Sequence, residues 1–436
     1  MPAWAQPGIT TVGVARDFLN MLRRRDTLFV YSCDGEPGMP INHFNASERG
    51  LGVTLSPCIV AAAPPPADLA AYHRSLELGP ERVFCPVTSR HVSLALAVQA
   101  DAGLLERLRG DRSLRRMFPY FKDSHAESLA KRLGVDFVFS SPSAATYDAL
   151  NDKFDFSRAG ARHGFATLPM QTVHDFKALE AAFRSLAAIY GHGCMLRLRR
   201  GVGGAGMRHA PTLAQARFVW RLLRVHGEVL LTPFVPPSEV VRNIGLHGIV
   251  TSEGFEPLLV TDQIIRGIKF RGGRLAHDLT GEEIGAIRSC LPGLGSWLRT
   301  EGYVNAPAGV DGFLMRGLEG LRFVLLDPNI RMTGTMRPWS VVAALSERAG
   351  RRFVWQFEWV VIIGAVAGLR HLRQRLGGDL LDASRLEQGG ILPSVMRRFG
   401  LGPLGALRME VVLIGRDGSH LEHLRRRLGD IGFRWR

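Results

Sequence analysis

Phe323-Val324-Leu325-Leu326-Asp327-Pro328-Asn329-Ile330-Arg331 is an apolar strand that ends in three polar residues at alternate positions. On an extended chain, residues 327, 329 and 331 project to one side. A carboxylate, an amide and a guanidinium therefore stand together at a strand end. Two readings fit. Asp-Pro-Asn is good turn chemistry and closes a strand. It also supplies the hard oxygen donors that Mg²⁺ takes, with substrate phosphates completing the shell. Asp311, in Val310-Asp311-Gly312-Phe313, lies on the preceding predicted strand and could face the same point across the pair.

Upstream, residues 256–276 read as strands around a basic turn with Arg266, Lys269 and Arg271. That turn is either a solvated hairpin or a site for anionic groups. Thr232-Pro233-Phe234-Val235, followed by Glu239, is a stiff extended connector between units. Residues 228–232 and 240–250 flank it as strands. Further upstream, Gly201-Val202-Gly203-Gly204-Ala205-Gly206 follows the strand-like Met195-Leu196-Arg197-Leu198. The spacing matches G-x-G-x-x-G, but a dinucleotide fingerprint needs its glycines to open a helix. Pro211 and Thr212 put the helix start several residues later, and Glu228 precedes its strand instead of ending it. A glycine-rich loop between antiparallel strands fits better. It is either a plain hairpin or a cover whose N–H groups approach phosphate.

Residues 143–163 read as one helix carrying Lys153, with Gly164 as its stop. A solvated helix face accounts for this lysine by default, although the chain has only five. Before it, Thr27 to Cys33, Arg82 to Pro86 and Asp136 to Ser140 are strand-like runs with helical patterns between. Such alternation predicts an open parallel α/β domain over 1–140, with a turn at Asp34-Gly35. Helices are expected over 174–189, 212–225, 281–299 and from about 340 to 400. A strand, Met409 to Ile414, and a helix, 419–429, close the chain.

Composition excludes several classes. The chain has 436 residues, 46% hydrophobic and 22% charged, which rules out a disordered tail, a collagen and a disulfide miniprotein. The longest uncharged apolar run, Trp359 to Leu369, is too short to cross a bilayer and reads as a buried core helix. The start, Met1 to Pro7, has no cationic stretch leading into an apolar one, so a cytoplasmic protein away from membranes is expected. The net charge is +15, almost all of the basic surplus being arginine. The arginines are scattered among acids, with no like-charged tail and no nucleic-acid signature. Five cysteines, Cys33, Cys58, Cys85, Cys194 and Cys290, have no metal spacing and suit a reducing compartment.

Taken in order, these elements resemble the ATP-grasp superfamily. Leu150-Asn151-Asp152-Lys153 looks like its first lysine motif. Arg197 stands where a second cation, usually lysine, precedes the glycine-rich loop ending in Gly206-Met207. Thr232 and Glu239 have the separation of its hinge and ribose-binding glutamate, with threonine where glutamate is usual. Asp311 and then Asp327, Asn329 and Arg331 match an aspartate and E-x-N-x-R, with aspartate replacing glutamate. The resemblance covers about residues 145–335. It implies a pre-ATP-grasp α/β domain (1–140), a two-lobed core (141–235 and 236–340) and a small C-terminal α/β extension (341–436). Gly389-Gly390-Ile391-Leu392-Pro393, then Met409 to Gly415 and a helix, is similar to the extension of the pheganomycin-type peptide ligases.

The implied chemistry is an ATP-dependent carboxylate–amine ligation through an acyl phosphate. The implied partners are a small carboxylic or amino acid and an amine or peptide, with no nucleic acid. A homodimer is left open. Lys153, Arg197, Gly203, Gly204, Ala205 and Gly206 would meet the phosphates. Thr232, Pro233, Phe234, Val235 and Glu239 would hold the nucleoside. Asp311, Asp327 and Asn329 would hold two Mg²⁺, replaceable by Mn²⁺. Arg331, with Arg266, Lys269 and Arg271, would act on the reacting groups. Competing expectations are a small-molecule kinase on the same scaffold and an arginine-rich nucleic-acid-binding protein.

Overall fold

The computed structural model describes residues 1–30, 54–87, 93–139, 142–199, 206–267, 269–317, 320–363, 368–399 and 406–435. Strands β1 (Thr27–Val30), β2 (Cys58–Val60), β3 (Arg82–Phe84), β4 (Arg116–Pro119) and β5 (Asp136–Phe137) form a parallel sheet in the order β3-β2-β1-β4-β5. β1 is buried along its whole length, as a central parallel strand covered on both faces must be. The expected strand through Cys33 is seen as far as Val30. Its remainder and the Asp34-Gly35 turn lie outside the described residues.

A second sheet is antiparallel: β6 (Gln171–Val173), β9 (Val229–Pro233), β7 (Cys194–Leu198) and β8 (Met207–Ala210), in that order. The helices Phe176–Tyr190 and Leu213–Leu223 supply its apolar cover. The Leu213 helix opens on a capping box in which Thr212 and Gln215 satisfy each other's backbone N–H groups.

The third sheet carries β10 (Val240–Val250), β11 (Phe255–Arg266), β12 (Lys269–Leu275), β13 (Ala306–Gly317), β14 (Gly320–Asn329), β15 (Val354–Ile363), β16 (Gly390–Phe399) and β17 (Ala406–Gly415). Their order is β14-β13-β10-β11-β12-β15-β17-β16, and β18 (Arg434–Trp435) pairs with β15. The C-terminal strands thus continue this sheet and do not form one of their own. Arg337, at the start of helix Met336–Ala349, fastens the continuation. It ion-pairs with Glu410 and donates to Ser394 Oγ at 2.7 Å, with all three residues buried. The first residues of the chain are also held by this sheet. Gln6 Oε1 accepts from Val260 N at 2.9 Å, and Thr11 N donates to Pro257 O at 2.9 Å. Trp4 Nε1 donates to Glu347 Oε1 at 2.8 Å, with its ring edge-on to Trp339.

Three expectations need correction. The helix expected over 143–163 is two, Ala144–Leu150 and Lys153–His163. Asp152 caps the second by accepting from Phe154 N and Asp155 N. The helix over 281–299 is likewise split, into Gly281–Arg288 and Leu291–Thr300. The helical region expected from 340 to 400 holds helix Met336–Ala349 and the short helix Leu369–Leu376, with strands between and after them, and the apolar run from Trp359 begins within strand β15. A strand buried on both faces shows no period-two alternation, so pattern alone mistakes it for a core helix. Among the described residues no helix is long and apolar enough to cross a membrane.

Two histidines are buried uncharged. His247 Nε2 lies 3.2 Å from Thr261 Oγ1 and Nδ1 3.0 Å from Thr333 Oγ1. Its ring occupies space left by Gly245 and Gly309, where a Cβ would meet ring nitrogens at 2.8 and 3.0 Å. Burial holds His247 down at about 3. Burial, with Arg337 adding and the Pro393 carbonyl opposing, holds His73 at about 4. Below the unfolded histidine value of about 6.5 the unfolded chain takes up protons that the native state refuses, so acid destabilises the fold. The urea midpoint is expected to fall from pH 6.5 to pH 5, each histidine costing up to about 1.4 kcal/mol per pH unit. His247→Asn should flatten that dependence.

Candidate active site

The site grows from the pairing of β13 and β14. Asp311 and Asp327 are direct cross-strand partners, so their side chains share a face. Asn329 Nδ2 donates to Asp311 Oδ2 at 2.8 Å. Burial pushes the Asp311 carboxyl up to about 6, against the Asn329 amide, the charges of Arg331 and Lys153, and a hydrogen bond from Gln263. Asp311 therefore gathers Asn329, Arg331, Lys153 and Gln263 around one carboxylate.

Lys153 is 6% exposed, at the first turn of its helix. The helix break at Asn151 explains how it gets there. Asn151 Oδ1 accepts from Ile330 N and from Arg331 Nη1, both at 2.9 Å. The corner carrying Lys153 is thereby tied to the strand end carrying Asn329. Arg331, 8% exposed, also lies over the Phe121 ring with 6.0 Å from guanidinium to centroid.

Arg197 comes from the other sheet. It is 3% exposed on β7 and ion-pairs through Nη2 with Asp327 Oδ1. Burial pulls its guanidinium down to about 10, and its Nε is buried without a hydrogen-bond partner. Arg197 and Thr232 line one narrow cleft with Phe156, Thr167, Leu168 and Leu326. Phe234 stacks on His209 at 3.7 Å, and its N–H donates to Gly193 O at 3.0 Å. Pro233 has no N–H, so the connector offers few backbone donors. Val235 is partly buried, packed against Leu168 and its neighbours, and Glu239 is exposed on a short 3₁₀ turn.

Gly206 takes φ +73° and leaves no room for a Cβ beside Leu198. Gly203, Gly204 and Ala205 lie outside the described residues. The basic turn is not brought into the Asp311 group. Arg266 Nη2 lies 3.8 Å from Glu358 Oε2, Lys269 is exposed as the cross-strand partner of Arg266, and Arg271 is half-buried.

The sequence reading gave no role to Asn151, Gln263 or Arg199. Gln263 reaches Asp311 only through the register of β13, β10 and β11, which no local pattern reveals. Arg199, two residues beyond Arg197 on the same strand line, was visible in principle by alternation. It donates to Asp152 Oδ2 at 2.5 Å, Glu228 Oε2 at 2.7 Å and Asp155 Oδ2 at 3.2 Å. Burial opposes its charge, but Glu228 and Asp152 outweigh that and hold Arg199 protonated well above its usual range. A cavity of about 480 Å³ opens here, apart from the Asp311 group, lined by Asp148, Asp152, Asp155, Arg199, His226 and Glu228.

The arrangement is a cleft between two sheets, with cations on one side and carboxylates on the other. Solved structures share the fold. N5-carboxyaminoimidazole synthase from Aspergillus clavatus, in complex with ADP and 5-aminoimidazole ribonucleotide, superposes with a TM-score of 0.54 at 12% identity, over 94% of this chain and 99% of that one. L-amino acid ligase from Bacillus licheniformis gives 0.52 at 12% identity, over 94% and 98%. The biotin carboxylase domain of 2-oxoglutarate carboxylase from Hydrogenobacter thermophilus, with MgADP and bicarbonate, gives 0.55 at 14% identity, over 94% and 90%. This chain has the ATP-grasp fold. No family model and no curated protein matches the sequence. The ATP-grasp likeness lies in the architecture.

One consequence concerns the Lys153 corner. Arg199→Ala leaves Asp152, 3% exposed, without its guanidinium. The variant is expected to lose about 2 kcal/mol in equilibrium urea unfolding, since an abandoned buried carboxylate costs more than the pair contributed. Arg199→Lys should restore part of it.

Proposed function

We propose that the chain is an ATP-dependent carboxylate–amine ligase that forms an amide through an acyl phosphate and releases ADP. The carrying observation is the convergence of Lys153, Arg331 and Asn329 on Asp311, with Asp327 beside it and Arg197 attached to Asp327. Cations from one lobe and oxygen donors from the other would grip one polyphosphate between them. The structural neighbours, an L-amino acid ligase and a carboxyaminoimidazole synthase, support this reading.

In this reading Lys153 and Arg197 hold the α- and β-phosphates. Thr232 to Val235 border the adenine and Glu239 reaches the ribose. The substrate carboxylate attacks the γ-phosphorus, ADP leaves, and an amine then displaces phosphate from the acyl carbon. Arg331 steadies the substrate carboxylate or the oxyanion that follows. The glycine-rich stretch from Gly201 to Gly206 would meet the triphosphate and keep water from the acyl phosphate. Most of the rate comes from positioning and neutralised charge.

The donor set fits Mg²⁺. Asp311, Asp327 and Asn329 offer hard oxygens, and no group of three or more His, Cys, Asp or Glu forms an all-protein cage among the described residues. Two ions held there, or Mn²⁺ in their place, would supply charge neutralisation on the transferred phosphoryl group. Arg197 would then exchange Asp327 for phosphate. Arg266 and Lys269 remain candidates for the substrate acid only if the β11–β12 hairpin bends toward the cleft. The substrates are a small acid or amino acid and an amine or peptide. The C-terminal resemblance around Gly389 to Pro393 favours a peptide ligase of natural-product biosynthesis.

Asp327→Asn keeps the shape of the side chain and is expected to lower ADP release by about 100-fold or more, comparable to losing a transition-state electrostatic contact. Hydroxylamine should trap a hydroxamate in wild type, which a hydroxyl kinase would not yield. Arg197→Lys should be milder than Arg197→Ala. Wild-type turnover in Asp327→Asn would end the proposal. Separately, Mg·ATP at 100 times its Kd should stabilise wild type by about 2.7 kcal/mol in thermal melts, and Asp311→Asn by much less.

A further inference from the structure

The first turn of the helix Lys153–His163 is held from both sheets. On one side Asn151 binds the tip of β14, its Oδ1 accepting from Ile330 N and its Nδ2 donating to Ile330 O at 3.4 Å. On the other side stands Arg199, which continues the line of β7, its N–H donating to Glu228 O at 3.0 Å. Its guanidinium meets Asp152, the cap of the helix, through Nε, and Asp155 in the first turn through Nη2. The guanidinium carbon also lies 5.6 Å from the ring centroid of Phe154. Nη1 turns back to Glu228, just before β9.

Each nitrogen of that guanidinium already faces a carboxylate, so a phosphate would have to displace an acid to reach Arg199. Its contacts join elements instead. Asp152 divides its carboxylate between two tasks: Oδ1 caps the helix by accepting from Phe154 N and Asp155 N, and Oδ2 takes Arg199. The cap by itself is enough to start a helix. The Arg199 contact fastens that helix to β7 and β9, and a pair of this kind contributes little net stability while holding two elements in one geometry. Lys153 follows Asp152 directly, and its charge acts on Asp311. Arg197 stands two residues before Arg199 and pairs with Asp327, the cross-strand partner of Asp311. The two cations thus converge on one pair of carboxylates from different elements, and Arg199 bridges their backbones.

Resting on the ligase reading above, we propose that Arg199 is a positioning residue, which sets the spacing of Lys153 and Arg197 so that both meet the phosphates of one nucleotide. A lysine ammonium rides on a long flexible stem and loses rotamer entropy when it is held in one place. Lys153 is buried, and Arg199 fixes the backbone from which it starts. Its charge is therefore arranged before the nucleotide arrives, and such preorganisation raises affinity without a new contact. The effect of Arg199 on nucleotide binding then runs through Lys153. A plain loss of positive field, or a direct contact between Arg199 and phosphate, would act as strongly without Lys153 as with it.

The test is a double-mutant cycle, read by calorimetric titration of the full chain with Mg·ADP, a probe that requires neither the acid nor the amine to be known. Arg199→Gln is expected to weaken the Kd about tenfold in the wild-type background, and less than about twofold when Lys153→Gln is also present. Arg199→Lys can meet one acid at a time and should recover roughly threefold of that loss. It is carried through the same cycle, so the test stands even where Arg199→Gln does not fold. Urea midpoints separate positioning from plain destabilisation: the stability lost with Arg199 should be the same in both Lys153 backgrounds, while the affinity lost should not. Equal weakening in both backgrounds overturns the proposal, and so does a wild-type Kd in Arg199→Gln. A wild-type chain that binds no Mg·ADP at millimolar concentration removes the ligase reading and the proposal together. Intact binding without coupling to Lys153 removes the proposal alone.

Discussion

Arg197 is nearly fully buried where it meets Asp327, whose side chain keeps 30% of its exposure. One belongs to the four-stranded sheet and the other to the end of β14, and each is the nearest compensation for the other's charge. Such a pair is a weak source of net stability, because desolvation cancels most of its attraction. It is a strong constraint on geometry, because separating the partners would leave a buried charge alone. The distance between the two sheets is set there. Asn151 grips the same strand end from the opposite side, through Ile330 and Arg331. The residues at the tip of β14 are consequently held in place from two directions.

The large sheet extends this order outward. Its strands run without interruption from Asp311 to the C-terminal residues, and Arg337 ties the helix after the tip to Ser394 and Glu410. A shift of the C-terminal strands would be felt at the loop that follows Arg331. The architecture makes the segment after residue 340 part of the same platform that presents the carboxylates.

Much of this was legible in the sequence because it is local. The alternation of residues 327, 329 and 331, the parallel strands before residue 140 and the two antiparallel strands after Gly193 are all spacing patterns. What was hidden depends on burial or on register. The break at Asn151 is written in an Asp cap, but the helical period runs through it undisturbed. β15 alternates from Trp355 to Trp359, but its second half, Trp359 to Ile363, is continuously apolar and hides the strand. Gln263 and Asp311 are far apart in the chain and meet only because β10 lies between their strands in a given register. The basic turn was assigned by composition, and Arg266 faces Glu358 because the parity of β11 sends it to the other side from Gln263.

The anchoring of Trp4, Gln6 and Thr11 carries a temporal consequence. Their partners are Glu347, Trp339, Val260 and Pro257, hundreds of residues downstream. On the ribosome the chain emerges from its first residue, so this opening segment must wait for most of the polypeptide before it can dock. The parallel sheet that follows can assemble early, yet the segment before it stays undocked until its partners, Pro257 to Glu347, have been made. Docking of this segment joins residues far apart in sequence, and such long-range closure is slow.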